Sequence, residues 1–245
     1  FFILIPQPVR KNALVGVRGI SSTYWQDLKA GFRYVLGWPG LLAIMAISTI
    51  VNFLFSPASS LMPLLVTNYF GGGALQYGMM DSAWGVGVVA GGLVLSAWGG
   101  FRRKIVTSMV GLMGMAVGIG IIGILPPSGF ALAVAALALS GFMNPITNGP
   151  LVAFFQVKID PEMQGRVFSL LGSAGAAMSP LSLAVAGPVA DALGIQVWYI
   201  AAGIVSFLIG LVALYIPAIR HMEDDVQHDP VIALTTPERI DISAG

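Results

Sequence analysis

Apolar runs long enough to cross a bilayer, separated by short polar connectors, set the pattern of this chain. Six of them fall near residues 41–66, 78–98, 105–125, 130–155, 167–190 and 195–216. A bilayer helix needs roughly 17–25 apolar residues, and each run has about that length. The connectors NYFGGGALQY, GFRRK, PPSG, VKIDPEMQGR and DALG are short. Strand-like alternation of period two is absent, which argues against a membrane barrel. The pattern predicts an all-α membrane protein whose residues 41–216 form a bundle of six transmembrane helices.

The flanks read differently. Residues 1–6, FFILIP, resemble the last turns of a preceding transmembrane helix. No charged region stands before them and no small-residue cleavage site after, so they are not a signal peptide. The chain is therefore expected to be a C-terminal fragment of a longer protein. Residues 7–40 begin as a polar, basic linker with Arg10, Lys11 and Arg18. Thr23-Tyr24-Trp25-Gln26 then offers a capping box. Trp25, Leu28, Phe32, Val35 and Leu36 follow at helical spacing, with Lys29 and Arg33 between them. Such a helix lies in the membrane interface, and Gly37-Trp38-Pro39-Gly40 ends it. Residues 217–245 are polar and expected to be disordered.

Charge turns the pattern into a topology. With the start of the chain on the cytoplasmic side and alternation through six spans, all 12 Lys and Arg fall inside. They lie in the linker, in the loop Arg102-Arg103-Lys104, at Lys158 and Arg166, and in the tail at Arg220 and Arg239. The three outer loops hold none, as the positive-inside rule requires. The expected location is a cell (plasma or inner) membrane, crossed several times, with linker, both basic loops and C-terminus cytoplasmic.

Composition adds mainly exclusions. Only 9% of residues are charged and mean hydropathy is +0.86, where soluble domains carry about 25% charged residues. A net charge of +1 offers no field for nucleic acid. The absence of cysteine excludes disulfides and thiolate metal sites. His221 and His228 have no metal-ligand spacing to other ligands. No cofactor, metal or catalytic residue is expected.

The fourth run carries the most chemistry. Pro145 and Pro150 interrupt it, each removing one backbone hydrogen bond, and make it a candidate hinge. In hydrocarbon such a break is tolerated beside protein or a wet cavity. Asn144, Thr147 and Asn148 sit at the break. In the first run Ser48, Asn52, Ser56 and Ser59 form a polar stripe on a helix bent by Pro57 and Pro63. Both groups read equally as cavity lining and as interhelical hydrogen bonding, the latter worth about 0.6–2 kcal/mol per contact. Asp81, near the outer start of the second run, is a candidate proton-coupling carboxylate; the competing reading is a helix cap in the headgroup zone. Asp191 reads as a cap or turn residue. Gln156, Glu162 and Arg166 form a candidate cytoplasmic gate, as does Arg102–Lys104; the plainer reading is a positive-inside anchor.

Small residues recur three or four apart at Gly87 and Gly91, at Gly92, Ser96 and Gly100, at Gly111, Gly114 and Gly118, and at Gly172 and Ala176. The spacing suits close helix packing, or surfaces that let bundles rock. Gly118-x-Gly120-x-x-Gly123 matches a dinucleotide fingerprint but lies inside an apolar span, follows no strand, and is rejected.

With topology in place, the motifs resemble the C-terminal half of a major facilitator superfamily transporter. The turn from Gly92 to Phe101-Arg102-Arg103-Lys104 is similar to the family's glycine-to-basic signature, without the acidic residue that often precedes the basic pair. Asn148, Gln156, Pro161-Glu162 and Gly165-Arg166-Val167 look like the macrolide-efflux and enterobactin-exporter types of drug:proton antiporter. Gly187-Pro188-Val189-Ala190-Asp191-Ala192-Leu193-Gly194 resembles a common closing of the eleventh helix. The resemblance implies secondary active, proton-coupled efflux of amphipathic small molecules, macrolide-like drugs or siderophores, by alternating access. Its partners would be the bilayer, the missing N-terminal half, the substrate and protons. The first and fourth runs would then be cavity-lining helices, with Ser48, Asn52, Asn144, Thr147 and Asn148 on the cavity. Two other classes stand against it. One is a complete six-helix protein acting as a homodimer or scaffold. The other is an intramembrane enzyme, disfavoured because the spans contain no His, Lys or Glu.

Overall fold

In the computed structural model, residue 29 and residues 31–216 are described. The expectations for the FFILIP segment, for the capping box and most of the linker, and for the polar tail lie outside these residues.

Six helices long and apolar enough to cross a membrane follow one another: α1 Pro39–Ser60, α2 Ala74–Trp98, α3 Lys104–Ile124, α4 Phe130–Lys158, α5 Pro161–Leu193 and α6 Gln196–Ala213. No strand occurs among the described residues. A helical segment at residues 31–36 precedes them. Phe32 and Leu36 are exposed while Val35 is fully buried, so this segment presents one apolar residue inward and two outward.

Local chemistry explains most helix ends. Proline occupies the first positions of α1 and α5, where its missing N–H costs nothing and its fixed φ suits the helix. Gly99 and Gly100 end α2 with φ of 75° and 78°, values that favour glycine. Beyond Ser60 the chain continues through Met62–Leu64 into a five-residue π-turn, Leu65–Tyr69, whose wider hydrogen bond runs from Phe70 N–H to the Leu65 carbonyl at 3.1 Å.

Two expectations about boundaries are corrected. The polar connector 157–166 is not a loop of ten residues. α4 runs on to Lys158 and α5 begins at Pro161, which leaves only Ile159 and Asp160 between them. Proline at the helix start, not loss of hydrophobicity, sets that boundary, so Glu162 and Arg166 ride on the first turns of α5. Likewise α2 starts at Ala74, four residues before its apolar run.

Pro145 and Pro150 do not end α4, which is helical throughout. Close neighbours on two sides hold it in register. Gly87 and Gly91 of α2 lie against the backbone of Ala138 and Phe142, and Gly111 and Gly118 of α3 against Thr147 and Ser140. Packing continues from α3 to α6 and from α6 through α1 to α5. The order of contact is thus α2–α4–α3–α6–α1–α5, and the two terminal members are not closely packed on each other. They are also the least buried spans, whereas α3 is the most buried.

Two apolar cores result. One, at the basic end of the bundle, gathers Val35, Leu41, Ile105, Phe155, Ile159 and Val167. The other, at the opposite end, gathers Leu65, Val66, Met80, Ile122, Ala133 and Tyr199. Between them, α1 and α4 stand apart.

Candidate functional site: a polar cavity between the two cores

The gap between α1 and α4 is a cavity of about 670 Å³ to which all six spans contribute. The structure brings Ser48 and Asn52 of α1, Asp81 of α2, and Asn144, Thr147 and Asn148 of α4 onto its wall. Ser56 and Ser59 of the same α1 stripe join them. Met109, Leu112, Met115 and Ile119 of α3 supply an apolar back wall.

Helical spacing produces this convergence. Ser48, Asn52, Ser56 and Ser59 recur at steps of four, four and three, so they share one face. Each asparagine is steadied by its own helix: Asn52 Nδ2 donates to the Ser48 carbonyl at 2.8 Å, and Asn148 Nδ2 to the Asn144 carbonyl at 3.1 Å. A carboxamide has two N–H donors and an oxygen with two lone pairs, so most of its capacity is left over. Thr147 differs. It is buried against Gly111 and donates to the Met143 carbonyl at 2.9 Å, so it contributes packing as well as lining.

Asp81 lies about two turns inside α2. The start of that helix is tied instead by Gly73 N–H donating to Gln76 Oε1 at 2.8 Å. The capping reading of Asp81 therefore fails: the helix begins seven residues earlier. Asp191 sits in the last turn of α5 and is exposed.

Several lining residues escaped sequence reasoning. Tyr77 and Trp84 flank Asp81 on α2 at four residues before and three after; the helical spacing alone could have found them. Ser179 of α5 is paired with Ser56 of α1, hydroxyl to hydroxyl, at 2.8 Å. The Tyr199 hydroxyl of α6 donates to the Ala58 carbonyl of α1. No local signal marked either residue, because each acts on a helix distant in sequence.

The other candidates lie away from the cavity. Arg102, Arg103 and Lys104 form the turn between α2 and α3, where Lys104 Nζ donates to the Gly99 carbonyl at 2.9 Å. Phe101 N–H donates to Thr107 Oγ1 at 2.9 Å and steadies the same turn. Gln156, Glu162 and Arg166 are exposed at the α4–α5 turn. The side chain that clamps this turn is Gln164, which donates to the carbonyls of Gln156 and Ile159 at 2.7 and 3.0 Å. Pro145 and Pro150 stand on α4 and do not line the cavity. Among the described residues no group of His, Asp and Glu could hold a metal ion.

The glycines of the dinucleotide-like motif have another use. Gly118 meets Ser140 and Ala136 of α4, while Gly120 and Gly123 meet Gly203 and Ile200 of α6. They are the points where α3 packs on both neighbours.

Comparison with known proteins places this architecture. The chain is 30% identical over 207 residues to macrolide efflux protein A of Streptococcus pyogenes, covering 84% of this chain and 51% of that protein. It is 30% identical over 167 residues to macrolide efflux protein A of Enterococcus faecalis, covering 68% and 52%. It is 26% identical over 197 residues to the multidrug efflux pump Tap of Mycolicibacterium fortuitum, covering 79% and 46%. The chain thus spans about half the length of the curated relatives it matches. No solved structure gives a significant match. Residues 9–240 match the family described as transmembrane secretion effector. With its six apolar helices and this match, the chain is a multi-pass membrane protein of the transmembrane secretion effector family, a branch of the transporters, not enzymes, of the major facilitator superfamily.

Proposed function

We propose that this chain is the C-terminal half of a proton-coupled exporter that moves amphipathic small molecules, macrolide-like drugs or siderophores, by alternating access. One observation carries the reading: a cavity of about 670 Å³, polar at mid-depth, is reached by all six spans and flanked by two helices not closely packed on each other. Major facilitator transporters bind substrate near the midplane between two six-helix halves. The N-terminal half would cover the exposed faces of α2 and α5. Those faces carry small residues that let helices approach closely, Gly78, Gly85 and Gly92 on α2 and Gly165, Gly172 and Gly187 on α5; a Cβ built on any of them meets nothing within 4 Å. The names and lengths of the relatives support both the efflux activity and the missing half.

In this reading Ser48, Asn52, Asn144, Thr147 and Asn148 hydrogen-bond the substrate, and Asp81 carries the proton. The expected order in the parent is the end of a sixth helix at residues 1–6, a linker between halves that stops before α1 at Pro39, and a tail at residues 217–245. The basic end, with Arg102–Lys104 and Arg166, faces the cytoplasm of a cell membrane. Gln156, Glu162 and Arg166 gate that end, and Pro145 and Pro150 let α4 bend. The test is export of a macrolide from proteoliposomes containing the full-length protein, driven by an imposed pH gradient. Asp81→Asn should abolish pH-driven export. Unchanged export would remove Asp81 from coupling, and no export by the wild type would remove the pump reading.

A further inference from the structure

The basic turn between α2 and α3 is built rather than loose. Gly99 and Gly100 reverse the chain with positive φ. Phe101 N–H donates to Thr107 Oγ1 and Lys104 Nζ to the Gly99 carbonyl, both at 2.9 Å. Trp98 and Phe101 pack edge to face beside it, ring centroids 4.7 Å apart. Arg102, Arg103 and Lys104 are thus carried on one braced segment, and the first turn of α3 contains no acidic residue. A braced cluster loses little freedom when it takes up an anion.

The fold brings the last described residues to the same place. α6 runs antiparallel to α3: Gly203 meets Gly120, and Gly210 meets Met109. Ala213, in the last turn of α6, shares a core with Ile105 and Met109, and Ile216 packs against that core. Ile105 directly follows Lys104. Past Ile216 the sequence reaches Glu223, Asp224 and Asp225 within seven to nine residues. Seven residues span at most roughly 25 Å, and a tether this short keeps its acids at millimolar effective concentration.

Charge selects the occupant. Residues 217–245 carry six acids against two bases, Arg220 and Arg239, whereas residues 1–28 carry three bases and one acid. The turn attracts the first segment and repels the second. We propose that Glu223, Asp224 and Asp225 dock on Arg102, Arg103 and Lys104, so that the chain's own tail covers the basic turn and clasps it to the end of α6. Each guanidinium presents a planar fork of donors that matches a carboxylate. The contact lies at the surface, so it weakens as salt shortens the screening length from about 8 Å at about 0.15 M to about 3 Å at about 1 M. It stands whether or not the cavity exports a substrate.

The test is carbodiimide coupling of the purified full-length protein in phosphatidylcholine nanodiscs, read by mass spectrometry after digestion. The reagent joins a lysine amine to a carboxylate in direct contact, without a spacer. The expected product links Lys104 to Glu223, Asp224 or Asp225. Its yield should fall at least about fivefold between about 0.15 M and about 1 M salt. It should be absent from the triple variant Glu223→Gln, Asp224→Asn, Asp225→Asn. Links from Lys104 to Asp160 or Glu162 in place of the tail, or no link at Lys104, overturn the proposal. Nanodiscs with about one-third phosphatidylglycerol separate the tail from a lipid phosphate as occupant. The link should persist there; its loss would give the turn to the lipid and overturn the clasp. The wild-type product decides the matter whatever the variant does.

Discussion

A Cβ is the smallest change a helix interface can meet, and the glycines here divide by what that Cβ would touch. At Gly91 it would run into the backbone of Phe142, which cannot rotate away. Gly91→Ala should therefore force α2 off α4, at a cost of about 1–3 kcal/mol, read as a lower melting midpoint in detergent. At Gly85 nothing lies within 4 Å. Gly85→Ala should leave the midpoint of this bundle unchanged, and a drop equal to that of Gly91→Ala would contradict the packing described. The glycine spacing is legible in the sequence and suits close packing. What spacing could not supply was direction. Gly87 and Gly85 are two residues apart, yet one is locked against α4 and the other is open. Asp81 shows the same limit: its apolar run starts at residue 78, its helix at 74, and that difference separates a cap from a cavity wall.

Helices in this bundle hold one another through a few polar bonds that local sequence does not reveal. The Tyr199 hydroxyl of α6 reaches the Ala58 carbonyl near the end of α1, just before the chain turns through Pro63 into the π-turn. Tyr199→Phe would leave that carbonyl buried without this donor, a loss of about 1–3 kcal/mol. Its melting midpoint should fall clearly below that of Tyr215→Phe, whose side chain is largely exposed. Equal midpoints would show that the hydroxyl does not tie α6 to α1. Helix existence and order were legible from hydropathy, because six runs of bilayer length leave little choice. The prolines were harder to read. Pro145 and Pro150 lie inside a continuous α4, since each removes one bond while packing on two sides preserves the rest. Pro161 falls in a polar connector by hydropathy, yet at a first helical position it starts α5.

At the scale of the molecule, the contact series α2–α4–α3–α6–α1–α5 has two free ends. The sequence showed Gly92 of α2 and Gly172 of α5 within small-residue repeats, and the polar stripes of α1 and α4, but not the open glycine faces of α2 and α5 nor that these flank the cavity built from α1 and α4. Which spans neighbour each other depends on interactions between distant segments, and hydropathy is blind to those. The free ends also bear on how the protein is made. A half that leaves the insertion machinery alone would offer Asn52, Asp81 and Asn148 to lipid, where unsatisfied polar groups are costly. Produced without the preceding half, it should be degraded several-fold faster than when the two halves are co-expressed as separate chains. Pulse-chase half-lives measure this; equal lifetimes would indicate that the bundle shields its own cavity. Assembly then becomes a race: the preceding half must arrive before membrane proteolysis does, and the exposed cavity serves as the timer.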